Sequence, residues 1–122
     1  MNDTLKILKI AKIALEDKKA EDINIIDIEK ISDLTNYFVI ATGNNPNQLR
    51  AIADEIEEKL FKNGFKLLHS EGYTNANWIL LDYDTVIIHI FSREDREFYD
   101  IDRIWADGKK ITDDDLINVL IN

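Results

Sequence analysis

The sequence predicts a single α/β domain in which a mixed β-sheet is flanked by helices. A chain of 122 residues has the size of one domain. Segments with helical periodicity alternate along it with short β-branched runs, a pattern typical of sheets covered by helices. An apolar share of 45% beside a charged share of 32% is the balance of a folded, soluble protein. One domain spanning residues 1–122 is therefore expected.

The first predicted element is a helix over residues 4–19. Its polar side chains recur three or four residues apart and form one narrow stripe, whose lysines we expect to be solvated. The stripe comprises Lys6, Lys9, Lys12, Glu16 and Lys19. The other positions are apolar, so the helix should be covered on most of its circumference. The β-branched run 23–28 that follows predicts a strand.

A continuous apolar run over residues 37–42 predicts a strand that is covered on both faces. Gly43 ends it, and Asn45-Pro46 predicts the start of a second helix, with asparagine as the cap and proline in the first turn. Residues 66–71 are predicted to be a third, central strand. A strand–helix–strand unit of this kind implies a right-handed crossover between parallel strands.

The last part of the chain predicts a hairpin followed by helices. The runs 78–83 and 85–91 are separated by a single residue, which indicates two antiparallel strands. Phe98, Ile101 and Trp105 are spaced to share one helical face. Residues 109–122 are predicted to contain a short C-terminal helix capped by Thr112.

Charge and cysteine content restrict the classes of function. Fifteen basic residues stand against 24 acidic ones, for a net charge of −9. Little direct binding to nucleic acid is expected, because such binding requires several phosphates to be neutralised. Acidic domains do associate rapidly with basic proteins. The chain has no cysteine, which removes thiol chemistry and suits a reducing cytoplasm. Its apolar runs are too short for a membrane span.

The sequence contains few candidates for catalysis. Two histidines and no cysteine argue against a transition-metal site, and the serines lie outside any strained Gly-x-Ser-x-Gly turn. Asp82 and Asp84 are the sharpest pair, since two carboxylates at a strand end can hold one magnesium ion. The other interpretation is that both belong to a tight hairpin turn. We expect no enzymatic activity, and a metal-dependent nucleotidyltransferase using Asp82 and Asp84 is the alternative.

Side chains alternate along the strand that begins at Trp78. Trp78, Leu80 and Asp82 therefore share one face of the sheet, opposite Ile79, Leu81 and Tyr83. A tryptophan beside an acidic residue on a sheet face is typical of a protein-binding patch, because tryptophan is enriched among residues that dominate interfaces. The alternative is a tryptophan buried in the core beneath a helix.

Several separated motifs, in order, resemble a known family. They are Ser32-Asp33-Leu34-Thr35-Asn36-Tyr37-Phe38-Val39-Ile40-Ala41-Thr42-Gly43, Gln48, Ala51-Ile52-Ala53-Asp54, Glu71-Gly72, Ala76, Trp78-Ile79-Leu80-Leu81-Asp82, His89-Ile90-Phe91, Arg96-x-x-Tyr99-Asp100-Ile101 and Arg103-Ile104-Trp105-Ala106-Asp107. The chain resembles the ribosomal silencing factors, also called Iojap-like proteins, over about residues 4–108.

The resemblance implies a fold similar to nucleotidyltransferases without their catalytic residues, and no cofactor or metal. It implies a cytoplasmic translation repressor that binds ribosomal protein fourteen of the large subunit and blocks joining of the small subunit when nutrients are short. Carried onto this sequence, the partner-binding residues are Trp78, Leu80, Asp82, Glu71 and His89. The resemblance also implies a homodimer when the protein is free. Tyr99 and Trp105 are expected to pack helices, and Arg96 and Arg103 to pair with acidic residues of the same chain.

Three departures from the family pattern stand out. Asn36 occupies a position that is usually aspartate, and Asn45-Pro46 replaces a region that usually contains serine. The hairpin turn usually reads tyrosine-glycine-aspartate, whereas this chain has Tyr83-Asp84-Thr85. The last departure is expected to change the hairpin geometry beside the contact strand.

Overall fold

A computed structural model describes residues 3–121 as a six-stranded sheet with helices on both faces. Residues 1, 2 and 122 of the predicted domain lie outside this range. The elements are α1 (Asp3–Asp17), β1 (Glu21–Asp27), β2 (Tyr37–Gly43), α2 (Pro46–Lys62), β3 (His69–Glu71), β4 (Trp78–Asp82), β5 (Val86–Ser92), α3 (Arg93–Tyr99), α4 (Ile101–Ile104), β6 (Lys109–Ile111) and α5 (Asp113–Leu116). No helix within residues 3–121 has the length and apolar character that crossing a bilayer requires. The predicted α/β class with a mixed sheet is confirmed.

The strands lie in the order β3-β4-β5-β2-β1-β6. β2 and β5 run parallel, and the other neighbouring pairs are antiparallel. The predicted hairpin is confirmed as β4 and β5. The prediction of a central strand over residues 66–71 is wrong, because β3 is a three-residue edge strand that pairs with β4. Its residues His69, Ser70 and Glu71 are polar and exposed, so β3 has no apolar side chain to bury at the centre of the sheet.

Helices α1 and α2 pack against each other and cover one face of the sheet with an aliphatic core. The fully buried members include Leu8, Leu15, Leu49, Ile52, Ile56, Leu60, Val39, Ile79, Leu81, Ile88 and Ile90. The predicted start of α2 is confirmed: the Asn45 side chain accepts a hydrogen bond from the Gln48 N–H at 2.8 Å, and Pro46 is the first helical residue.

The lysine stripe of α1 does more than face solvent. The Nζ of Lys9 donates to the carbonyl of Val119 at 2.7 Å, and the Nζ of Lys12 lies 2.7 Å from the Asp113 carboxylate. These contacts hold the C-terminal segment against α1, which corrects the expectation of a purely solvated stripe. The predicted C-terminal helix capped by Thr112 is α5, where the Thr112 N–H donates to the Asp115 carboxylate at 2.8 Å, and residues 109–111 before it form β6.

Helices α3 and α4 cover part of the opposite face of the sheet. They are separate because Asp100 adopts a left-handed conformation, with φ 51°, between them. Phe98 precedes this break, and 78% of its surface is exposed. The prediction that Phe98, Ile101 and Trp105 share one helical face is therefore wrong, because Phe98 lies in α3 and Ile101 in α4, and only Ile101 and Trp105 pack against the sheet.

Candidate protein-interaction face

The face of the sheet opposite α1 and α2 carries a cluster of rings, which we call the aromatic face. It consists of Phe38, Trp78, His89, Phe91, Tyr99 and Trp105. Strands β2, β4 and β5 supply the first four rings, because alternate residues of a strand point to the same side of a sheet. The segment containing α3 and α4 supplies the other two. Aromatic clusters of this kind combine a large apolar area with defined ring geometry.

Strand β4 shows the predicted alternation. Trp78, Leu80 and Asp82 are partly exposed, whereas Ile79, Leu81 and Tyr83 are buried. Ile79, Leu81 and Tyr83 belong to the core beneath α1 and α2. Three of the five residues predicted to bind a partner therefore lie together on one side of the sheet, and solvent reaches each of them.

Trp78 is packed on more than one side. Its ring centroid lies 4.6 Å from that of Tyr99 and 4.8 Å from that of Phe91. Its indole Nε1–H donates a hydrogen bond to His89 Nδ1 at 3.1 Å. The expected packing roles of Tyr99 and Trp105 are confirmed, since Trp105 meets Phe38 edge-on at 5.4 Å. Trp78 is thus an ordered ring that is partly open to solvent.

His89 is buried beside Trp78, although the family resemblance implied that it is a partner-binding residue. Only 4% of its surface is exposed, and its ring meets Phe38 edge-on at 4.7 Å. Burial lowers the pKa of His89 to about 4, with Asp102 opposing that shift. The imidazole is therefore neutral at physiological pH. Its position allows contact with Trp78 and does not present the ring to a partner.

Glu71 and Leu80 extend the candidate surface to the edge of the sheet. In the register of the strands Glu71 lies opposite Leu80, which in turn lies opposite His89. Glu71 is exposed, and its carboxylate lies 2.7 Å from His69 Nε2. Together with Asp82, two residues further along β4, it places two acidic groups next to Leu80.

The Asp82 carboxylate has a structural partner in the hairpin turn. Its Oδ1 accepts a hydrogen bond from the Asp84 N–H at 2.8 Å. This contact fits the interpretation of Asp82 and Asp84 as residues of a tight hairpin turn, which was the alternative to metal binding. Among residues 3–121, no group of three histidine or acidic side chains is placed to hold a metal ion. Asp84 has φ 74°, the left-handed conformation that glycine adopts readily. Aspartate at the family's glycine position therefore adopts a backbone conformation that suits glycine.

The arginines near the aromatic face are paired within the chain, as expected. Arg96 contacts the Asp102 carboxylate at 2.9 Å, and Arg103 contacts Asp100 at 2.7 Å. Partial burial alone would raise the pKa of Asp102, but hydrogen bonds from Arg96 and Asn24 hold it below its ordinary value. This network fixes the segment containing α3 and α4 to the sheet.

Four residues of the aromatic face were not in the candidate site: Tyr99 and Trp105 were expected to pack helices, and Phe38 and Phe91 had no assigned role. Phe38 contacts the His89 ring, and Phe91 lies against Trp78. Phe91 follows His89 by two residues, so strand alternation already placed both on one face. The position of Phe38 carried no comparable signal, because its contact with His89 depends on the parallel pairing of β2 with β5.

Comparison with known proteins connects this arrangement to one family. A family model described as ribosomal silencing factor during starvation matches residues 1–120. The ribosomal silencing factor RsfS of Bacillus subtilis is 42% identical over 102 residues, which cover 84% of this chain and 86% of that protein. The chloroplastic protein Iojap of Arabidopsis thaliana is 30% identical over 104 residues, which cover 85% of this chain and 43% of that protein.

A solved structure supports the same relationship at the level of the fold. A crystal structure of a protein from Chromobacterium violaceum superposes with a TM-score of 0.81 at 34% sequence identity, and the match covers 88% of each chain. The sequence match extends over nearly the whole domain, including the strands and helices that build the aromatic face. The chain therefore belongs to the family of ribosomal silencing factors.

Proposed function

We propose that this protein represses translation by binding the large ribosomal subunit through its ribosomal protein fourteen. The bound protein would occupy the surface that the small subunit needs, so that subunit joining is blocked when nutrients are short. The action is steric and needs neither a cofactor nor catalysis. The site of action would be the cytoplasm, where ribosomes work.

The observation that carries the proposal is the partly exposed row Trp78, Leu80 and Asp82 on β4. An ordered tryptophan beside a leucine supplies apolar area for a hot spot. Asp82 and Glu71 place negative charge beside it, and the net charge of −9 favours a basic partner. Ribosomal proteins that bind RNA are basic, so their exposed surfaces complement this one.

The test is a large-subunit co-sedimentation assay followed by a subunit-joining assay. Trp78→Ala should weaken binding by about 2 kcal/mol or more, mainly through a faster off-rate. Asp82→Lys should weaken binding further, because it sets like charge against the basic partner. Circular dichroism of each variant separates loss of binding from loss of folding.

A matched control is Glu58→Lys on α2, which makes the same change in net charge on the helix-covered side of the sheet. Glu58 is exposed and forms a surface ion pair with Lys62, a pair of the kind that contributes little to stability. This variant should bind and block joining as the wild type does. If folded Asp82→Lys also behaves like the wild type, the interface lies elsewhere on the domain.

We also propose that the free protein is a homodimer whose interface overlaps this surface. Tyr99 has 43% of its surface exposed and packs against Trp78, so apolar area continues beyond β4 onto α3. Large exposed apolar patches usually mark interfaces. Light scattering at micromolar concentration should give the mass of a dimer, and Trp78→Ala should shift it towards the monomer. If the wild type is a monomer, the dimer proposal is wrong and the proposal of ribosome binding is unaffected.

A further inference from the structure

The hydrogen bond between Trp78 and His89 links a partly exposed ring to a buried one. The indole Nε1–H donates to His89 Nδ1 at 3.1 Å across neighbouring strands. Leu80 is the residue directly opposite His89, so Trp78 reaches His89 as its diagonal neighbour on the same face. The bond therefore sets the direction in which the indole lies along the sheet.

The geometry assigns one tautomer to His89. Since Nδ1 accepts from an indole, which is only a donor, the proton of the neutral ring resides on Nε2. Within residues 3–121, Nε2 has no hydrogen-bond partner, and its ring stands edge-on to Phe38 at 4.7 Å. A buried donor without a partner costs free energy. An apolar ring at this position would pack without that cost. The presence of histidine therefore indicates that the acceptor at Nδ1 has a role.

We propose that His89 is a positioning residue, which fixes the Trp78 indole in the orientation that the ribosomal partner meets and does not itself contact that partner. This rests on the proposed function of the aromatic face. The Tyr99 ring packs against the indole at 4.6 Å with an interplanar angle of 47°, so the indole is held by this contact as well as by the hydrogen bond. An anchor that is fixed before binding loses less rotational freedom when the complex forms.

Two substitutions of His89 separate the acceptor from the ring. His89→Phe keeps an aromatic ring in the cluster and removes the acceptor. His89→Asn removes the ring, but its amide oxygen can occupy the place of Nδ1 and accept from the indole. If His89 has a purely structural role, His89→Phe is the milder change. If His89 positions the indole, His89→Asn is the milder change, both for the orientation of the indole and for binding of the partner.

The first measurement is nuclear magnetic resonance of the free protein. Nitrogen shifts of His89 should show a protonated Nε2 and an unprotonated Nδ1. The Trp78 indole N–H signal, identified by its loss in Trp78→Phe, should move upfield and exchange faster with solvent in His89→Phe than in His89→Asn. A protonated Nδ1, or an indole signal in His89→Phe equal to that of the wild type, overturns the proposal.

The second measurement is the off-rate from purified large subunits. We expect His89→Phe to dissociate about five- to tenfold faster than the wild type, as for the loss of one hydrogen bond, and His89→Asn to lie closer to the wild type. In the Trp78→Phe background, His89→Phe should have no further effect. A full effect in that background would show that His89 does not act through Trp78 and would overturn the proposal.

The two measurements also distinguish failure of this inference from failure of the proposed function. If the wild type does not bind large subunits, the proposed function is wrong. The free-protein spectra then decide the inference alone: positioning by His89 stands if the indole signal is disturbed in His89→Phe and retained in His89→Asn, and it falls otherwise.

Discussion

Lowering the pH from about 7 to about 5 should destabilise the protein through one buried side chain, His89. Its pKa in the folded state is about 4, whereas its ordinary value is 6.5. The unfolded chain therefore takes up the proton first, so the stabilisation is complete above pH ~6.5 and is lost as the pH falls towards about 4. This difference corresponds to about 3 kcal/mol in all, of which about 2 kcal/mol is lost by pH ~5.

Urea unfolding at a series of pH values measures this effect. The slope of the unfolding free energy against urea concentration should stay constant, which checks two-state behaviour. Asp102 also has a pKa below its ordinary value, but a depressed carboxyl pKa affects stability only as the pH falls below about 4. The pH range of the Asp102 effect therefore lies below that of the His89 effect. His89→Asn should abolish most of the loss between pH ~6.5 and ~4.5. His69→Asn is the matched control, because it removes the exposed histidine and should keep the loss. A measured His89 midpoint near 6.5 would refute the reasoning.

Three further substitutions test the supports of the aromatic face. Gly72→Ala should cost about 2–3 kcal/mol of stability and shift the Trp78 indole signal, since Gly72 has φ 86° and a Cβ there would lie 1.9 Å from the Trp78 carbonyl oxygen. Asp84→Gly should stabilise the fold by about 1 kcal/mol or less in urea unfolding, because it relieves a left-handed non-glycine residue; a destabilised variant would contradict this. Asp102→Asn should cost about 2 kcal/mol, because it leaves the largely buried Arg96 without its carboxylate, and a midpoint equal to that of the wild type would show that the pair contributes nothing.

Local patterns in the sequence predicted the features that depend on neighbouring residues. Alternation along β4 put Trp78 on one face and Ile79 on the other, because the period of a strand is a property of its backbone. Asn45 and Pro46 located the start of α2 because a cap acts within three residues. These signals remain valid whatever the strand is paired with.

Features that depend on pairing between distant segments were not predictable in the same way. The polar residues of β3 disfavour a central position, but its place at the edge follows from its pairing with β4, which the sequence of the strand does not show. The burial of His89 requires the register of β4, β5 and β2 together. The break at Asp100 was also missed, since an aspartate in the left-handed region has the same sequence signal as one in a helix.

The two faces of the sheet differ in how their coverings are stabilised. Helices α1 and α2 are 15 and 17 residues long and bury continuous aliphatic stripes, whereas α3 and α4 have seven and four residues and bury no side chain completely. Helices this short are unstable alone, so α3 and α4 depend on the contacts of Tyr99 and Trp105 with the aromatic face. The rings of the aromatic face therefore stabilise both α3 and α4 and the position of the proposed anchor Trp78. Substitutions behind that surface should alter the off-rate from the partner without altering any group that the partner contacts.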